Sequence, residues 1–244
     1  NRPIYDRRNE VDDHYTRIIL GSNTDEGYTY NFTVQLAKNF KNGLTANIAY
    51  TYGRSYAVFE GTSSQNSSQW RGAYSITGRN FTPNGISDFD TRSRIVAFVN
   101  YSIEYGGHFA TSISAFYNGQ TGRPFTYTYD DGFTNEDSRE RAAIYIPRTQ
   151  NEIFLIDDGD VTAEQQWTAL NNYIENDPFL SKHRGEYAER NGVRAPFTGT
   201  IDLNIVQSFF FKGEKRTQAI EIGFDIFNFT NLLSSSWGKR YFTP

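Results

Sequence analysis

The regular parts of this chain alternate between apolar and polar residues with a period of two. From residue 28 to residue 37, one set is Tyr28, Tyr30, Phe32, Val34 and Leu36, and the opposite set is Thr29, Asn31, Thr33, Gln35 and Ala37. Successive side chains of a strand point to opposite faces of a sheet, so this pattern predicts a strand with one apolar face.

A second strand with the same pattern follows after a short connection. Its apolar set is Leu44, Ala46, Ile48, Tyr50 and Tyr52, and its polar set is Thr45, Asn47, Ala49, Thr51 and Gly53. The connection over residues 39–43 ends in Asn42-Gly43, a dipeptide typical of tight turns. The two segments therefore predict a hairpin.

Two further hairpins are predicted in the same way. One places Ile95, Ala97, Val99, Tyr101 and Ile103 on the apolar side, turns at residues 105–108, and returns with Phe109, Thr111, Ile113, Ala115 and Tyr117. The other places Ile201, Leu203, Ile205 and Phe209 on the apolar side, turns at residues 212–215, and returns with Ile220, Ile222, Phe224 and Ile226. The chain thus has at least six predicted strands in three hairpins.

The polar faces of these strands predict contact with water inside a barrel. They consist mostly of Thr, Ser, Asn, Gly and Ala, and they hold all four charges of the predicted strands: Arg94, Asp202, Glu221 and Asp225. We expect these charges to face the lumen. A soluble two-layer sandwich also has one polar face on each strand, but its exposed face usually carries more Lys and Glu.

The connections differ in length at the two ends of the strands. Turns within a hairpin are short, whereas the links between hairpins run from Arg54 to Arg92 and from Gly119 to about Pro196. Short turns at one end and long loops at the other are typical of outer-membrane barrels. The predicted fold is therefore all-β, an antiparallel transmembrane β-barrel with long extracellular loops.

One short helix is predicted in the second long loop. Thr162 has the residue type of an N-cap, Gln165 completes a capping box, and Asp177-Pro178 ends the segment. Trp167, Leu170 and Ile174 provide its apolar stripe. We expect this helix to pack against the loops, with a lid that grips a substrate as the alternative.

Composition and charge exclude several classes of protein. The 244 residues include 17 Tyr and 20 Phe but have a mean hydropathy of −0.64, and no run approaches the roughly 18 apolar residues of a membrane-spanning helix. A net charge of −4 with no basic stripe argues against nucleic acid as a partner. The absence of Cys excludes disulfides and thiol chemistry.

Candidate chemistry is confined to the predicted loops. Aromatic and arginine side chains suited to stacking on or pairing with a ligand are Trp70, Arg71, Tyr74, Tyr145 and Trp167. The cluster Asp157, Asp158 and Asp160 predicts an acidic turn, with a loop Ca²⁺ site as the alternative, because the full EF-hand pattern is missing. The three His lack ligand spacing and no Ser, His and acid set can be assembled, so we expect no resident cofactor and no enzyme activity.

Four segments carry a resemblance to a known family. They are Gly119 to Phe125 (GQTGRPF), Ile144 to Arg148 (IYIPR), Leu180 to Gly192 (LSKHRGEYAERNG) and Asp225 to Leu233 (DIFNFTNLL). In these segments the chain resembles the C-terminal barrel region of TonB-dependent receptors of the Oar-like type, common in Bacteroidota. The resemblance extends over nearly the whole chain, and the Leu180 to Gly192 segment is its most specific part.

The resemblance implies that residues 1–244 form the C-terminal portion of a 22-stranded barrel. This barrel would lie in the outer membrane of a Gram-negative bacterium. The plug domain and the early strands would then lie outside this chain. It also implies uptake of a nutrient into the periplasm, driven by the TonB complex through that N-terminal region. Expected partners are outer-membrane lipid and a surface lipoprotein or other envelope protein. The alternative is a non-transporting barrel that acts as a scaffold or adhesin in an envelope complex.

Overall fold

Six long strands dominate the computed structural model, which describes residues 18–130, 141–213 and 217–241. Each strand pairs with the next one along the chain, so the strand order in the sheet is the sequence order. The strands are β1 (Tyr28–Asn39), β2 (Leu44–Ala57), β3 (Ser93–Tyr105), β4 (Phe109–Gln120), β5 (Thr198–Lys212) and β6 (Thr217–Ile226).

Antiparallel pairing between neighbouring strands brings like residues into rows across the sheet. One row joins Ala46, Val99, Ala115, Leu203 and Ile226, and the next row joins Thr45, Asn100, Ser114, Asn204 and Asp225. A shift of one residue in any pair would mix the two rows. The register therefore confirms the predicted apolar and polar faces.

The apolar face is uncovered within the described residues. Ile48, Val99 and Ile222 are 48%, 42% and 63% exposed, although they lie in the middle rows of their strands. A sandwich would pack such side chains against a second sheet. An apolar surface that protein does not cover needs an apolar solvent, as the barrel prediction requires.

The polar face is held together by side-chain hydrogen bonds between strands. Thr33 and Thr51 are joined at 2.9 Å between their hydroxyl oxygens, and Ser112 donates to Asn100 Oδ1 at 2.7 Å. Gln35 Nε2 donates to Asn47 Oδ1 at 3.0 Å. Cross-strand pairs of this kind add to the stability of a sheet beyond its backbone ladder.

Glycines with positive φ form the two hairpin turns that the structure describes fully. Gly43 has φ of 84°, and Gly106 and Gly107 have φ of 59° and 68°. A residue with a Cβ is strained in this region, which explains the glycines of both turns. In the third turn, residues 214–216 lie outside the described part of the chain.

The observed strands are longer than predicted, which places charges at the ends of the sheet. Lys38 lies near the last position of β1, where its Nζ is 5.0 Å from the ring centroid of Phe40. Arg54 lies near the far end of β2, 3.6 Å from Asp90. Charges at these outer positions can reach the water on either side of a bilayer.

Gln207 is a polar residue of the apolar face that the sequence analysis did not single out. It pairs with Thr111 and Ile222 across the sheet. Its Oε1 accepts hydrogen bonds from the hydroxyl of Thr111 at 2.6 Å and of Tyr105 at 3.1 Å. These bonds satisfy the amide close to the tight turn between β3 and β4.

The chain divides into two compact units. The strand unit comprises Thr29–Ser55, Phe89–Arg123 and Arg194–Pro244, and the loop unit comprises Asn1–Tyr28, Tyr56–Asp88 and Pro124–Val193. A short helix, Phe229–Leu233, follows β6 in the strand unit. The two long connections therefore supply most of the loop unit.

Short elements build the loop unit. Its helices are α1 (Asn66–Arg71) and α2 (Ala163–Asn176), with 3₁₀ turns at Gln150–Glu152 and Leu180–Lys182. Two-residue strands pair Tyr74–Ser75 with Arg141–Ala142 and Tyr145–Ile146 with Glu186–Tyr187. The helix α2 has the predicted capping box, in which Thr162 and Gln165 bond each other reciprocally. The other two helices were not predicted, because they span six and five residues and lack a side-chain cap.

A small apolar core stabilises the loop unit. Ala143, Ile146, Ile174, Leu180 and Ala188 are each at most 3% exposed, and Leu170 and Phe179 pack against them. The apolar stripe predicted for α2 thus supplies Ile174 and Leu170 to this core. Within the described ranges, no helix has the length and apolar character needed to cross a bilayer.

Candidate functional site

The segment from Leu180 to Gly192 connects the parts of the second long loop. Arg184 donates from Nη1 to the carbonyl oxygen of Pro147 at 3.0 Å and from Nη2 to Asn171 Oδ1 at 2.8 Å. The amide of Ala188, a buried residue, donates to the carbonyl oxygen of Ile144 at 2.8 Å. The segment therefore holds α2 and the strand Tyr145–Ile146 in place.

The same segment also binds the first long loop through Arg190. This side chain donates from Nη1 to the carbonyl oxygens of Ala57 and Val58 at 2.9 and 2.8 Å, and from Nη2 to Glu60 Oε1 at 2.6 Å. The side chains of Arg190 and Glu60 are only 13% and 11% exposed. Removal of either partner of such a pair would leave the other charge mostly buried without its counter-charge.

Asn191 provides a second link between the two loops. Its side-chain Nδ2 donates to the carbonyl oxygen of Ile86 at 2.7 Å and to Asp88 Oδ1 at 2.6 Å, and its backbone amide donates to the hydroxyl of Thr126 at 2.8 Å. The residue is buried and has φ of 55°, a left-handed conformation that Asn tolerates better than most residues. We call Arg190 and Asn191 the loop clamp.

A cavity of about 190 Å³ lies beside the loop clamp, within the loop unit. We call it the Tyr74 cavity. Its charged lining residues are Glu60, Asp88, Arg141 and Arg190, and its aromatic ones are Phe59 and Tyr74. Ligand pockets for drug-sized molecules usually exceed about 300 Å³, so this cavity suits a smaller group.

Tyr74 and Arg141 form one wall of the cavity. The guanidinium carbon of Arg141 lies 5.1 Å from the ring centroid of Tyr74, within the range of a cation–π contact. Burial raises the pKa of the Tyr74 hydroxyl, while the charge of Arg141 lowers it and that of Asp88 raises it. The phenol therefore stays protonated at neutral pH and can both donate and accept a hydrogen bond.

Of the five predicted ligand-binding residues, Tyr74 lines this cavity. Trp70 lies on α1, where its Nε1 donates to Asn80 and its ring lies 5.1 Å from the guanidinium of Arg79. Arg71 bonds back to the carbonyl oxygen of Ser67 within the same helix.

The other two predicted residues lie in the second long loop. Tyr145 makes an edge-to-face contact with Tyr187 at 5.3 Å between ring centroids and donates to Glu152, while Trp167 lies half-buried on α2. The five residues thus do not form one site, and the prediction of ligand contact remains open for each. Glu60, Asp88, Arg141 and Arg190 were missed, because nothing in the sequence shows that residues 130 positions apart meet.

The acidic turn at residues 157–160 supports the start of α2. Asp157 Oδ1 accepts a hydrogen bond from the amide of Ala163 at 2.7 Å, and Asp158 pairs with Val161 through two backbone hydrogen bonds. Asp160 follows Gly159, which has φ of 57°. Among the described residues, no group of three or more acidic or His side chains is arranged to hold a metal ion. The acidic turn therefore has a structural role at the start of α2, and the suggestion of a Ca²⁺ site stays a prediction.

Asp177 is the C-cap residue of α2, and its carboxylate accepts three hydrogen bonds. Its Oδ1 accepts from the amides of Phe179 and Leu180 at 2.9 and 2.8 Å, and its Oδ2 accepts from the hydroxyl of Tyr127 at 2.6 Å. Burial raises the pKa of this carboxyl, but the three hydrogen bonds to its charged form outweigh burial and hold the pKa below its usual range.

The lowered pKa predicts a loop unit that weakens in acid. A group with a depressed folded pKa contributes stability above its unfolded pKa of about 4, and this contribution is lost as the pH falls through the folded value. We expect hydrogen-exchange protection of residues 179–181 to fall as the pH drops below about 4. Asp177→Asn should lower this protection at pH 7 by about tenfold and remove the pH dependence. Equal protection of both proteins at pH 7 would contradict this role.

Asp90 anchors the strand unit where the long connections leave and re-enter it. Its carboxylate accepts from the amide of Ser55 at 2.5 Å and pairs with Arg194, and Arg54 Nε lies 3.6 Å from it. The carbonyl oxygen of Asp90 also accepts from Arg194 at 2.8 Å. These contacts join the start of the first long connection, at Ser55, to its end, at Asp90. They also hold the end of the second long connection, at Arg194.

The four charges expected to face the lumen lie on the polar face of the sheet. Arg94 donates to Asn118 at 3.1 Å, Asp225 accepts from Asn204 at 2.7 Å, and Glu221 accepts from Ser208 at 3.2 Å. Asp202 accepts from the amide of Asn228 at 2.7 Å. The longer observed strand β3 adds Glu104 to the same face.

Comparison with known proteins identifies the class of this architecture. A family model described as "Outer membrane beta barrel domain" matches residues 2–236. The curated proteins and the solved structures provide no match of sufficient significance to carry an argument.

Proposed function

Since the chain belongs to the family of outer membrane beta barrel domains, we propose that it forms part of the wall and the outer loops of a TonB-dependent importer. Family membership places the protein in the outer membrane of a Gram-negative bacterium and agrees with the antiparallel sheet. In the proposed function the loops bind a nutrient and the barrel admits it to the periplasm, without making or breaking a bond in it.

The observation that carries the proposal is the folded loop unit. Its two long connections are joined by the loop clamp, and they enclose a cavity lined by charged and aromatic side chains. A loop unit of this kind gives a barrel a preformed binding surface, as small-molecule sites usually require. The proposal that TonB supplies the energy is supported by the resemblance to TonB-dependent receptors. That resemblance lies in residues 119–125, 144–148, 180–192 and 225–233.

The proposed partners follow from this function. Lipid would contact the exposed apolar face that includes Ile48, Val99 and Ile222. The TonB complex would act through a plug domain outside this chain, and a surface lipoprotein or other envelope protein would bind the loop unit. The proposed energy source requires that uptake stop when TonB is absent.

An uptake experiment tests the proposal. Cells of the source bacterium, with and without the gene, are supplied with a ¹³C-labelled hydrolysate of bacterial protein and glycan, and the label inside the cells is measured by mass spectrometry. We expect uptake of at least one labelled compound to require the gene and to be lost when TonB is deleted. Gene-dependent uptake that persists without TonB, or uptake that is unchanged when the gene is deleted, would contradict the proposal. The second result would instead favour a scaffold or adhesin.

A further inference from the structure

Two opposite charges line the Tyr74 cavity without forming an ion pair. Within the described part of the chain, Asp88 Oδ1 accepts one hydrogen bond from the side-chain Nδ2 of Asn191, and Arg141 contacts Tyr74. Neither of them forms a salt bridge there. Arg141 is exposed and Asp88 is half-buried, so both charges can be reached by a small molecule that enters the cavity.

A third charged residue of the lining, Arg190, is already engaged. Arg190 uses Nη1 and Nη2 in the loop clamp, while its Nε is buried and has no hydrogen-bond partner among the described residues. The stem of Arg190 packs on Gly85, where a Cβ would lie 3.0 Å from Cδ. Because Nε is buried, a molecule in the cavity would not reach it, and Arg190 serves there through the loop clamp alone.

The charges of the lining cancel. Glu60 and Asp88 are acidic, and Arg141 and Arg190 are basic, so the formal charge of the lining is zero. Glu60 already accepts from Arg190, from the amide of Asp88 and from the hydroxyl of Ser87. The groups left for a ligand are therefore the carboxylate of Asp88 and the guanidinium of Arg141.

We propose that the Tyr74 cavity binds a small zwitterion, the amino-carboxylate of a free amino acid or of an equally small peptide-derived compound. Its ammonium group would bind Asp88, and its carboxylate would bind Arg141. This deepens the proposed transport function, on which it rests, by naming the substrate class. At about 30 Å³ for each water molecule, the cavity has room for roughly six waters, which limits the bound group to the size of a small amino acid.

The charge pattern disfavours two other kinds of ligand. A simple anion would satisfy Arg141 but would leave Asp88 next to a second negative charge, which is unfavourable. A neutral polyol would remove water from both charged groups without giving either of them a group of opposite charge. A zwitterion matches both signs at once and keeps the occupied cavity neutral.

Ligand-observed NMR titration of the full-length protein in detergent micelles tests the proposal. The probe is L-alanine, compared with propionate, which has only the carboxylate, with ethylamine, which has only the ammonium group, and with glycerol, which has neither. We expect saturable binding of L-alanine and about tenfold weaker binding, or none, for the other three, because each lacks at least one charge-assisted hydrogen bond.

Variants assign the binding to the cavity. Asp88→Asn keeps the acceptor for Asn191, and Arg141→Gln removes an exposed cation, so both changes are expected to leave the loop fold intact. Each should weaken L-alanine binding about tenfold or more. The control variants Glu164→Gln and Lys182→Gln change exposed charges elsewhere in the loop unit, and they should leave binding unchanged.

The comparison on the unmodified protein decides the matter even if a variant fails to fold. Absence of saturable L-alanine binding, or equal binding of propionate, ethylamine or glycerol, would overturn the proposal. Binding that survives in both folded cavity variants would also overturn it. Since micelle binding needs no TonB, L-alanine binding combined with TonB-independent uptake would contradict only the transport function. TonB-dependent uptake without L-alanine binding would contradict only the zwitterion site.

Discussion

Replacing Val99 with arginine should largely abolish assembly of the protein in the outer membrane. Val99 lies in the apolar row between Ala46 and Ala115, near the middle of β3, and is 42% exposed on a face that protein does not cover among the described residues. An arginine that faces lipid near the middle of the bilayer costs about 2–4 kcal/mol. We expect the variant to lose most of the folded, heat-modifiable form on electrophoresis of outer-membrane fractions.

Val206→Arg is the matched control for this substitution. Val206 lies on the opposite face, in a row with Ser112 and Gly223, and would place the same new side chain in water near Glu221. We expect normal amounts of assembled protein, since charged residues are tolerated in a lumen. Equal loss of assembly in both variants, or in neither, would show that the two faces do not differ in solvent.

Replacing Arg190 with methionine should separate the two long loops. The substitution removes the hydrogen bonds to Ala57, Val58 and Glu60 and leaves the Glu60 carboxylate, which is 11% exposed, without its cation. Removal of one partner of a mostly buried pair costs about 3–5 kcal/mol. We expect residues 57–60 and 86–88 to lose hydrogen-exchange protection by about a hundredfold or more, while β2 up to Ser55 and the strands β3 to β5 keep theirs.

Lys182→Met is the control for the Arg190 substitution. It makes the same change from cation to methionine within the Leu180 to Gly192 segment, but at an exposed side chain. Protection of residues 57–60 should be unchanged. If Arg190→Met leaves this protection unchanged as well, the loop clamp does not hold the loops together.

The sheet could be predicted from the sequence because each strand and each turn is marked by residues that are close together in the chain. Strands such as Leu44 to Tyr52 alternate without interruption, and the turn glycines Gly43, Gly106 and Gly107 mark where the chain reverses. Register then follows, because one apolar face must stay together. Gln207 is a polar residue on the apolar face and could not be predicted from this alternation. Its hydrogen bonds to Thr111 and Tyr105 form only after the strands have paired.

The candidate site could not be predicted in the same way. Glu60 and Arg190 are 130 residues apart, and their contact depends on loops that have no periodic pattern. The resemblance drew attention to the Leu180 to Gly192 segment without giving its structural role, which is to join the loops through Arg190 and Asn191. Tyr74 was singled out as an aromatic loop residue, but its neighbours Asp88 and Arg141 are brought to it by the fold.

The most direct test of the account measures which solvent each face of the sheet meets. The chain contains no Cys, so nitroxide labels can be placed singly at residues 97–101 and 220–224 of the protein in lipid bilayers. Electron paramagnetic resonance then compares relaxation by oxygen, which concentrates in lipid, with relaxation by a water-soluble nickel chelate. We expect oxygen to dominate at positions 97, 99, 101, 220, 222 and 224, and nickel at the positions between them. Loss of this period of two, or low access of both reagents at Val99 and Ile222, would show that these side chains do not face lipid.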